Sequence, residues 1–202
     1  LFFLLIGWTN LFNFMDGING ITVLYALVSL LTFYQLPSLA SDKELIVLVG
    51  MSCVIFAWFN VRKKAKTFAG DVGSISMAMV LGYLMIKVVF ITGNPFYLFF
   101  FSLYGVDACM TIFVRLSKRE NIFQPHRTHL YQYLANEKGF NHLVISFAYA
   151  FLQLFINFLW LYAIGLEEIQ WVPGLIFVVI LLLFYYFLRK YAKPAEKNIE
   201  LS

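Results

Sequence analysis

The chain alternates between long apolar runs and short polar segments. An apolar stretch already under way at Leu1 ends near Thr9, and further runs follow at about 17–36, 45–60, 74–93, 96–114, 143–164 and 172–188. Hydrocarbon offers the backbone no hydrogen-bond partner, so apolar runs of about 20 residues are typical of membrane-spanning helices. The pattern predicts an all-α, polytopic transmembrane helical bundle. We expect six complete spans and a truncated first span in a single domain over residues 1–202, with the N-terminal part of the full protein lying upstream.

Composition agrees with this pattern. Hydrophobic residues make up 61% of the chain and charged residues 13%, against about 25% charged residues in an average soluble domain. Cys53 and Cys109 each lie inside an apolar run. We therefore interpret them as small core residues rather than as a disulfide or a metal-binding pair.

The distribution of positive charge predicts the orientation in the membrane. In the alternating topology, 13 of the 15 Lys and Arg residues fall on the side of the Asp16 loop. They are Arg62, Lys63, Lys64, Lys66, Arg115, Lys118, Arg119, Arg127, Lys138, Arg189, Lys190, Lys193 and Lys197. The positive-inside rule places this side in the cytosol. The basic residues are not interleaved along one soluble face, which argues against nucleic acid as a partner.

Polar residues with possible chemistry lie in three cytosolic loops, at about 10–17, 61–73 and 115–142. In the first, Asn10, Asn13 and Asp16 recur every three positions and would share one face of a helix. Their oxygens suit Mg²⁺ or a nucleotide. The alternative is helix capping, in which Asp16 and Asn19 satisfy exposed backbone groups.

The second loop joins a basic stretch to an acidic residue. Lys66 and its neighbours lead into Asp71, which lies between Gly70 and Gly73 at the start of a predicted span. The beginning of a helix favours anions such as phosphate, and Asp71 would hold Mg²⁺ beside them. The alternative is a positively charged loop followed by an N-cap.

The third loop begins at Arg115 and contains His126, Arg127 and His129. Arginine binds a diphosphate through two hydrogen bonds, and histidine donates to phosphate oxygens. A metal site is disfavoured because neither histidine has a cysteine or carboxylate at ligand spacing. The alternative is a solvated amphipathic loop.

Asp107 lies inside a predicted span, where an unpaired charge costs several kcal/mol. It would either reach a polar cavity at the cytosolic end or pair with Lys87 of the neighbouring helix.

Together and in this order, the motifs resemble those of the polyprenyl-phosphate N-acetylhexosamine-1-phosphate transferases. The family motif N-x-x-N-x-x-D-G matches Asn10, Asn13, Asp16 and Gly17, and F-x-G-D-x-G-S matches Phe68, Gly70, Asp71, Gly73 and Ser74. An intramembrane acid followed by arginine and P-x-R-x-H-L matches Asp107, Arg115, Pro125, Arg127, His129 and Leu130. The resemblance extends to about residue 136.

The chain departs from the family pattern at three places. Asn19 replaces the second acid of D-G-x-D-G, and the histidine-rich H-x-H-H becomes His129-Leu130-Tyr131-Gln132. His126 stands where the hexosamine group often has an acid. These differences argue against the muramoyl-pentapeptide branch of the family. A paired-aspartate motif would lie upstream of Leu1, so we expect this chain alone to lack part of the site.

The resemblance implies transfer of a sugar 1-phosphate, with N-acetylglucosamine as the commonest sugar, from a UDP-sugar to undecaprenyl phosphate. UMP would be released, and the product would initiate a cell-envelope polysaccharide at a bacterial inner membrane. The implied cofactor is Mg²⁺, with Mn²⁺ as an alternative, held by Asp71 and Asn13. The implied catalytic residues are Asp71, Asp16, Asn13, His129 and Arg127. The implied substrate-binding residues are Asn10, Asn19, Lys66, Asp107, Arg115 and His126. The implied partners are the UDP-sugar, the lipid, the membrane and, as an option, a second copy of the chain.

Two other functions remain open at this stage. In a transporter or channel, Asp107 and Lys87 would mark an ion path. Against this, the polar residues cluster at one face rather than near the midplane. An inactive membrane scaffold would keep the motifs without the chemistry.

Overall fold

A computed structural model describes residues 2–121, 124, 127–166 and 168–193. The regular secondary structure within these residues is entirely helical. The α-helices are α1 Phe2–Met15, α2 Ile21–Tyr34, α3 Lys43–Asn60, α4 Gly70–Thr92, α5 Ser102–Ser117, α6 Leu130–Gln132, α7 His142–Phe158 and α8 Trp171–Ala192. Short 3₁₀ segments precede α3 and α5, at Pro37–Asp42 and Pro95–Phe101. Turns of π-helix follow α6 and α7, at Tyr133–Glu137 and Leu159–Ile164. The predicted all-α bundle is confirmed.

Four of the described helices are long and apolar enough to cross a membrane. They cover Gly70–Thr92, Pro95–Ser117, His142–Ile164 and Trp171–Ala192. Apolar side chains remain exposed along their outer faces, as at Val172, Leu175 and Ile176 of α8, where hydrocarbon rather than water would contact them. The chain is therefore a membrane protein.

The two other predicted spans form shorter helices. The run at 17–36 yields a helix of only 14 residues, α2, because the chain turns at Gly20 with a left-handed φ of 88° before the helix begins. At the other end, Pro37 starts a 3₁₀ segment. Helix α3 has 18 residues, of which Lys43 and Glu44 are charged. Six complete spans were predicted, and length and composition support four of them.

Helix α2 nevertheless runs through the centre of the bundle. Nine of its residues are buried, namely Ile21, Thr22, Val23, Tyr25, Ala26, Ser29, Leu30, Thr32 and Phe33. The Tyr25 ring stacks on Tyr104 of α5 with centroids 3.7 Å apart. Because α2 contacts protein on most of its surface, packing rather than lipid holds it in place.

Hydrogen bonds between side chains also join the central helices. The Oε1 atom of Gln153 on α7 accepts from the Tyr25 hydroxyl at 2.6 Å and from the Leu103 N–H at 3.1 Å. Its Nε2 donates to Asn157 at 2.7 Å, and Asn157 in turn donates to Thr32 at 2.8 Å. All of the polar groups in this chain of bonds have partners, as burial in a membrane interior requires.

The loops separate into two ends of the bundle, as the charge pattern predicted. At one end, Lys87 forms an ion pair with Asp42 at 2.7 Å, and Asn94 donates to the Leu166 carbonyl at 3.1 Å. The three loops that contain the motifs meet at the opposite end. The alternative pairing of Lys87 with Asp107 is wrong, because Asp42 on the preceding 3₁₀ segment takes the ammonium group.

Orientation can be tested with two single cysteines at these opposite ends. Ser41 and Ser117 are both exposed, and Cys53 and Cys109 would first be replaced by alanine to remove the native thiols. In intact cells, an impermeant maleimide should label Ser41→Cys from the periplasm, and it should label Ser117→Cys only after the membrane is opened. Periplasmic labelling at both positions would show that the predicted alternation of spans is wrong.

Candidate functional site

The first two motifs meet where the end of α1 packs against the beginning of α4. The Asn13 Oδ1 atom accepts a hydrogen bond from the Ser74 hydroxyl at 2.9 Å. Further along the same pair of helices, Trp8 donates to the Ala78 carbonyl at 2.6 Å and packs directly against Gly82, where a Cβ atom would collide with its indole. The two helices therefore lie close together, and this packing fixes Asn13 beside the start of α4.

Asp16 follows α1 and lies near Asp71 in the first turn of α4. Its Oδ1 accepts from the Thr22 hydroxyl at 2.6 Å. Burial raises the pKa of the Asp16 carboxyl above its usual range, hydrogen bonds from Thr22 and the Gly70 N–H oppose this, and the negative charge of Asp71 adds to the increase. A cation between the two carboxylates would relieve this repulsion.

These oxygen ligands suit Mg²⁺, which takes part of its coordination from water and phosphate, better than they suit a metal that protein side chains coordinate completely. Within the described ranges, no cluster of three or more His, Cys, Asp or Glu side chains forms a metal site. Mg²⁺ commonly uses one or two carboxylates and takes its other ligands from water and phosphate. Asp71, Asp16 and the Asn13 amide oxygen provide such a set. Helix α4 begins at Gly70 after Ala69, so the alternative of Asp71 as an N-cap is wrong.

Two buried asparagines hold the Asp16 loop against the second motif. Asn60, at the end of α3, accepts from the Gly20 N–H at 2.7 Å and donates to the Thr67 carbonyl at 2.8 Å. Asn19 donates to the Arg62 carbonyl at 2.9 Å. Asn19 does not cap α2, because the N-cap of that helix is Gly20 and no side-chain hydrogen bond caps it. The Asn19 amide instead satisfies a main-chain carbonyl of the second loop, and its predicted substrate contact stays a prediction.

Asp107 lies at the centre of the third motif, completely buried. One of its oxygens, Oδ1, is 3.3 Å from His129 Nδ1 and accepts from the Leu130 N–H at 3.0 Å and the Tyr185 hydroxyl at 2.9 Å. The other, Oδ2, accepts from the Tyr149 hydroxyl at 3.0 Å. The acid therefore holds the start of the His129 segment against α5.

Tyr131 joins this segment to the first motif. Its hydroxyl donates to the Phe14 carbonyl at 2.8 Å, and a Cβ atom at Gly17 would collide with the same hydroxyl. Burial raises the pKa of Tyr131 far above its usual range, so the phenol stays protonated as a donor. Tyr131 stands where the family pattern has a histidine, and here it closes the space beneath the Asp-Gly turn.

The remaining predicted residues have different surroundings. Arg115 is buried and donates to Glu120 at 3.1 Å and to the Asn121 carbonyl at 2.7 Å. These bonds stabilise the loop that follows α5. Asn10, Lys66 and Arg127 are exposed. His126 and Pro125 lie outside the described residues.

Sequence reasoning missed Asn60, Tyr149 and Tyr185. Each stands alone in or beside an apolar run, and its partner is distant in sequence, 42 residues away for Tyr149 and 78 for Tyr185. The only available signal was that a membrane interior requires partners for polar side chains.

Comparison with known proteins agrees with the first two motifs. Residues 1–89 match the model of glycosyl transferase family 4, and this confirms the family resemblance over that part of the chain. Phospho-N-acetylmuramoyl-pentapeptide-transferases of Streptococcus pyogenes serotype M49 (strain NZ131), serotype M3 (strain SSI-1) and serotype M1 are each 34% identical over 94 residues. The match covers 44% of this chain and 28% of the length of each relative. No solved structure matches the chain.

The buried contacts of Asn60 can be tested through stability. Asn60→Ala would leave the Gly20 N–H and the Thr67 carbonyl without these partners, and each unsatisfied buried group costs about 1–3 kcal/mol. We expect a clearly lower melting temperature of the purified protein. Ser52→Ala is the matched control, because this exposed side chain bonds only to Leu48 within its own helix and should change stability by less than about 0.5 kcal/mol. Equal melting temperatures for both variants would contradict the bridging role of Asn60.

Proposed function

Because residues 1–89 match glycosyl transferase family 4, we propose that the protein transfers a sugar 1-phosphate from a UDP-sugar to a polyprenyl phosphate and releases UMP. One observation carries the proposal. Asn13 and Asp16, Asp71 and Ser74, and His129 and Tyr131 come from three loops distant in sequence and meet at one end of the bundle. The charge pattern supports the cytosol as the compartment that this end faces.

The reaction requires two anions to approach each other. An oxygen of the lipid phosphate attacks the sugar-linked β-phosphorus, the bond from that phosphorus to the bridging oxygen breaks, and its electron pair leaves with UMP. No proton has to move in this exchange. Catalysis then depends on neutralising charge and aligning the two phosphates.

The described residues can provide both effects. Mg²⁺, when bound by Asp71, Asp16 and Asn13, would supply positive charge against the diphosphate. Arg127 is exposed and can bind two oxygens of the diphosphate. His129 follows two residues later in the same segment. Ser74 keeps the Asn13 oxygen oriented, and Asn19 and Asn60 hold the loop that follows Asp16.

The identity of the transferred sugar is decided by experiment, with two UDP-sugars compared as donors. The departures at Asn19, His126 and Tyr131 favour an N-acetylhexosamine, preferentially N-acetylglucosamine, and hence the start of a cell-envelope polysaccharide. The names of the bacterial relatives favour a phospho-N-acetylmuramoyl-pentapeptide instead. Tyr131, whose hydroxyl lies against Gly17, is one of these departures because the family has histidine at this position.

The experiment is incorporation of radiolabel into extracted lipid by the full-length protein in membranes. Labelled UDP-N-acetylglucosamine and UDP-N-acetylmuramoyl-pentapeptide are supplied in parallel with undecaprenyl phosphate. Label in the lipid fraction and equimolar UMP support the proposal. Failure with every UDP-sugar tried, by protein that is correctly inserted, would favour the scaffold or transporter alternative.

Mg²⁺ binding can be measured without turnover. Burial and the charge of Asp71 raise the pKa of Asp16, so the folded protein disfavours the ionised Asp16 carboxylate. The stability of the folded protein is therefore lower at a pH above that pKa than at a pH below it. Mg²⁺ should therefore raise the melting temperature at pH 7, and the increment should shrink as the pH falls and Asp16 binds a proton. At about ten times the dissociation constant the stabilisation is about 1.4 kcal/mol.

Asp71→Asn should remove the Mg²⁺ increment and abolish transfer, since an amide binds Mg²⁺ far more weakly than a carboxylate. Asp42→Asn is the matched control, because Asp42 pairs with Lys87 at the other end of the bundle. It should melt at a lower temperature and yet keep the Mg²⁺ increment. Wild-type turnover of Asp71→Asn at ordinary Mg²⁺ concentration would refute the metal assignment.

Arg127→Lys separates diphosphate binding from loop charge. Lysine keeps the charge but loses the planar pair of donors, and charge-assisted bonds are worth about 1.5–3 kcal/mol. We expect about a 10-fold or larger loss in kcat/KM for the UDP-sugar. Arg119→Lys in the same loop is the control. Small, equal effects at both positions would show that Arg127 contributes only positive charge to the cytosolic loop.

A further inference from the structure

Helices α7 and α8 lie beyond the residues that match the family model, yet both reach the buried acid of the third motif. Tyr149 of α7 and Tyr185 of α8 each donate a hydroxyl to Asp107. Neither tyrosine belongs to a motif recognised in the sequence. Their contacts raise the question of what two helices outside the matched segment contribute to the site.

The direction of the hydrogen bonds near α8 follows from Arg189. Its Nη1 atom donates to the Tyr185 hydroxyl at 2.6 Å and to the Thr111 hydroxyl at 2.8 Å. A guanidinium only donates, so both hydroxyls accept from it, and each keeps its single proton for another acceptor. For both hydroxyls that acceptor is Asp107 Oδ1, at 2.9 Å from Tyr185 and 3.4 Å from Thr111.

Asp107 therefore receives donors on both oxygens and has little freedom to rotate. The Tyr149 hydroxyl is on Oδ2, while Tyr185, Thr111 and the Leu130 N–H are on Oδ1. The fixed oxygen Oδ1 lies 3.3 Å from His129 Nδ1. A carboxylate only accepts, so this contact is a hydrogen bond when Nδ1 bears the proton, and it then selects that tautomer and sets the plane of the ring.

We propose that Tyr149, Tyr185 and Arg189 are positioning residues, which act through Asp107 to fix the orientation and the tautomer of His129. The expected effect on turnover rests on the proposed function, whereas the expected effect on the His129 ring rests on the geometry alone. The last two helices thus contribute to the site without touching the substrate. Arg189, which the charge pattern explains only as a cytosolic anchor of α8, gains a second role.

Tyr149→Phe and Tyr185→Phe each remove one hydroxyl and keep the ring. Arg189→Lys keeps the positive charge but replaces the planar, fixed donors of the guanidinium with a shorter, flexible ammonium group. Tyr186→Phe is the matched control, since Tyr186 is the next residue of α8 and is 54% exposed. Asp107→Asn is a second route to the same effect if a tyrosine variant folds poorly, because the amide keeps the size of the side chain and removes its charge.

The deciding measurement is the ¹⁵N spectrum of the histidine rings in the full-length protein labelled with ¹⁵N-histidine. The His129 signals are identified by their loss in His129→Gln. We expect a protonated Nδ1 in the unsubstituted protein, and shifted or averaged ring signals in Tyr149→Phe, Tyr185→Phe, Arg189→Lys and Asp107→Asn, with Tyr186→Phe unchanged. In the transfer assay, each tyrosine variant should lose about 10-fold in kcat/KM, as expected for one hydrogen bond to a charged group, and its melting temperature should also fall because a buried carboxylate loses a donor.

His129 signals that are identical in all four variants would overturn the proposal, even if their turnover falls. An Nδ1 without a proton in the unsubstituted protein would overturn it as well. The spectra need no substrate, so they decide the positioning role even if the unsubstituted protein transfers no sugar phosphate. That last result would overturn the proposed function alone.

Discussion

A carboxylate buried inside a spanning helix must find its hydrogen-bond donors within the protein, and this constraint at Asp107 organises the site end of the bundle. Water cannot satisfy the acid at full burial. Donors therefore come from three other elements: Tyr149 of α7, Tyr185 of α8 and the Leu130 N–H at the start of α6. Satisfying one charge thus brings together elements that hydrophobic packing alone would leave free to slide.

A second polar network acts in the same way nearer the middle of the bundle. Gln153 connects α7 to Tyr25 of α2 and to the start of α5, and Asn157 continues the connection to Thr32. Lipid tails are as apolar as the side chains they would replace, so apolar contact gives membrane helices little preference for one partner over another. Amide side chains specify the pairing because each must meet a particular group. The position of α2, and with it the Asp16 loop, depends on these bonds.

The sequence predicted the elements of this fold better than their contacts. Apolar runs and loop charges were sufficient for the helical bundle and the grouping of the motif loops at one end, because these depend on local composition. They predicted six complete spans, however, where length and composition support four. The family resemblance implied that Asn13, Asp16 and Asp71 share a site, and the packing of α1 on α4 agrees. Which polar side chains would contact one another was harder to predict. Lys87 was an equally good partner for Asp107 by charge, and only the fold shows that Asp42 lies beside it. Tyr149 and Tyr185 were indistinguishable from the other aromatic residues of their helices until distant segments came together.

The short central helix has a consequence for the shape of the membrane surface. At 1.5 Å per residue, the 14 residues of α2 span about 21 Å, less than the roughly 30 Å of the hydrocarbon core. A helix at the lipid boundary would compensate for such a hydrophobic mismatch by thinning the bilayer around it. Helix α2 is surrounded mostly by protein and is free of that requirement, so the Asp-Gly turn at its beginning can lie below the level at which the outer helices leave the membrane. A turn at that depth would suit the proposed function, in which a soluble nucleotide meets a phosphate anchored in the bilayer near the lipid headgroups.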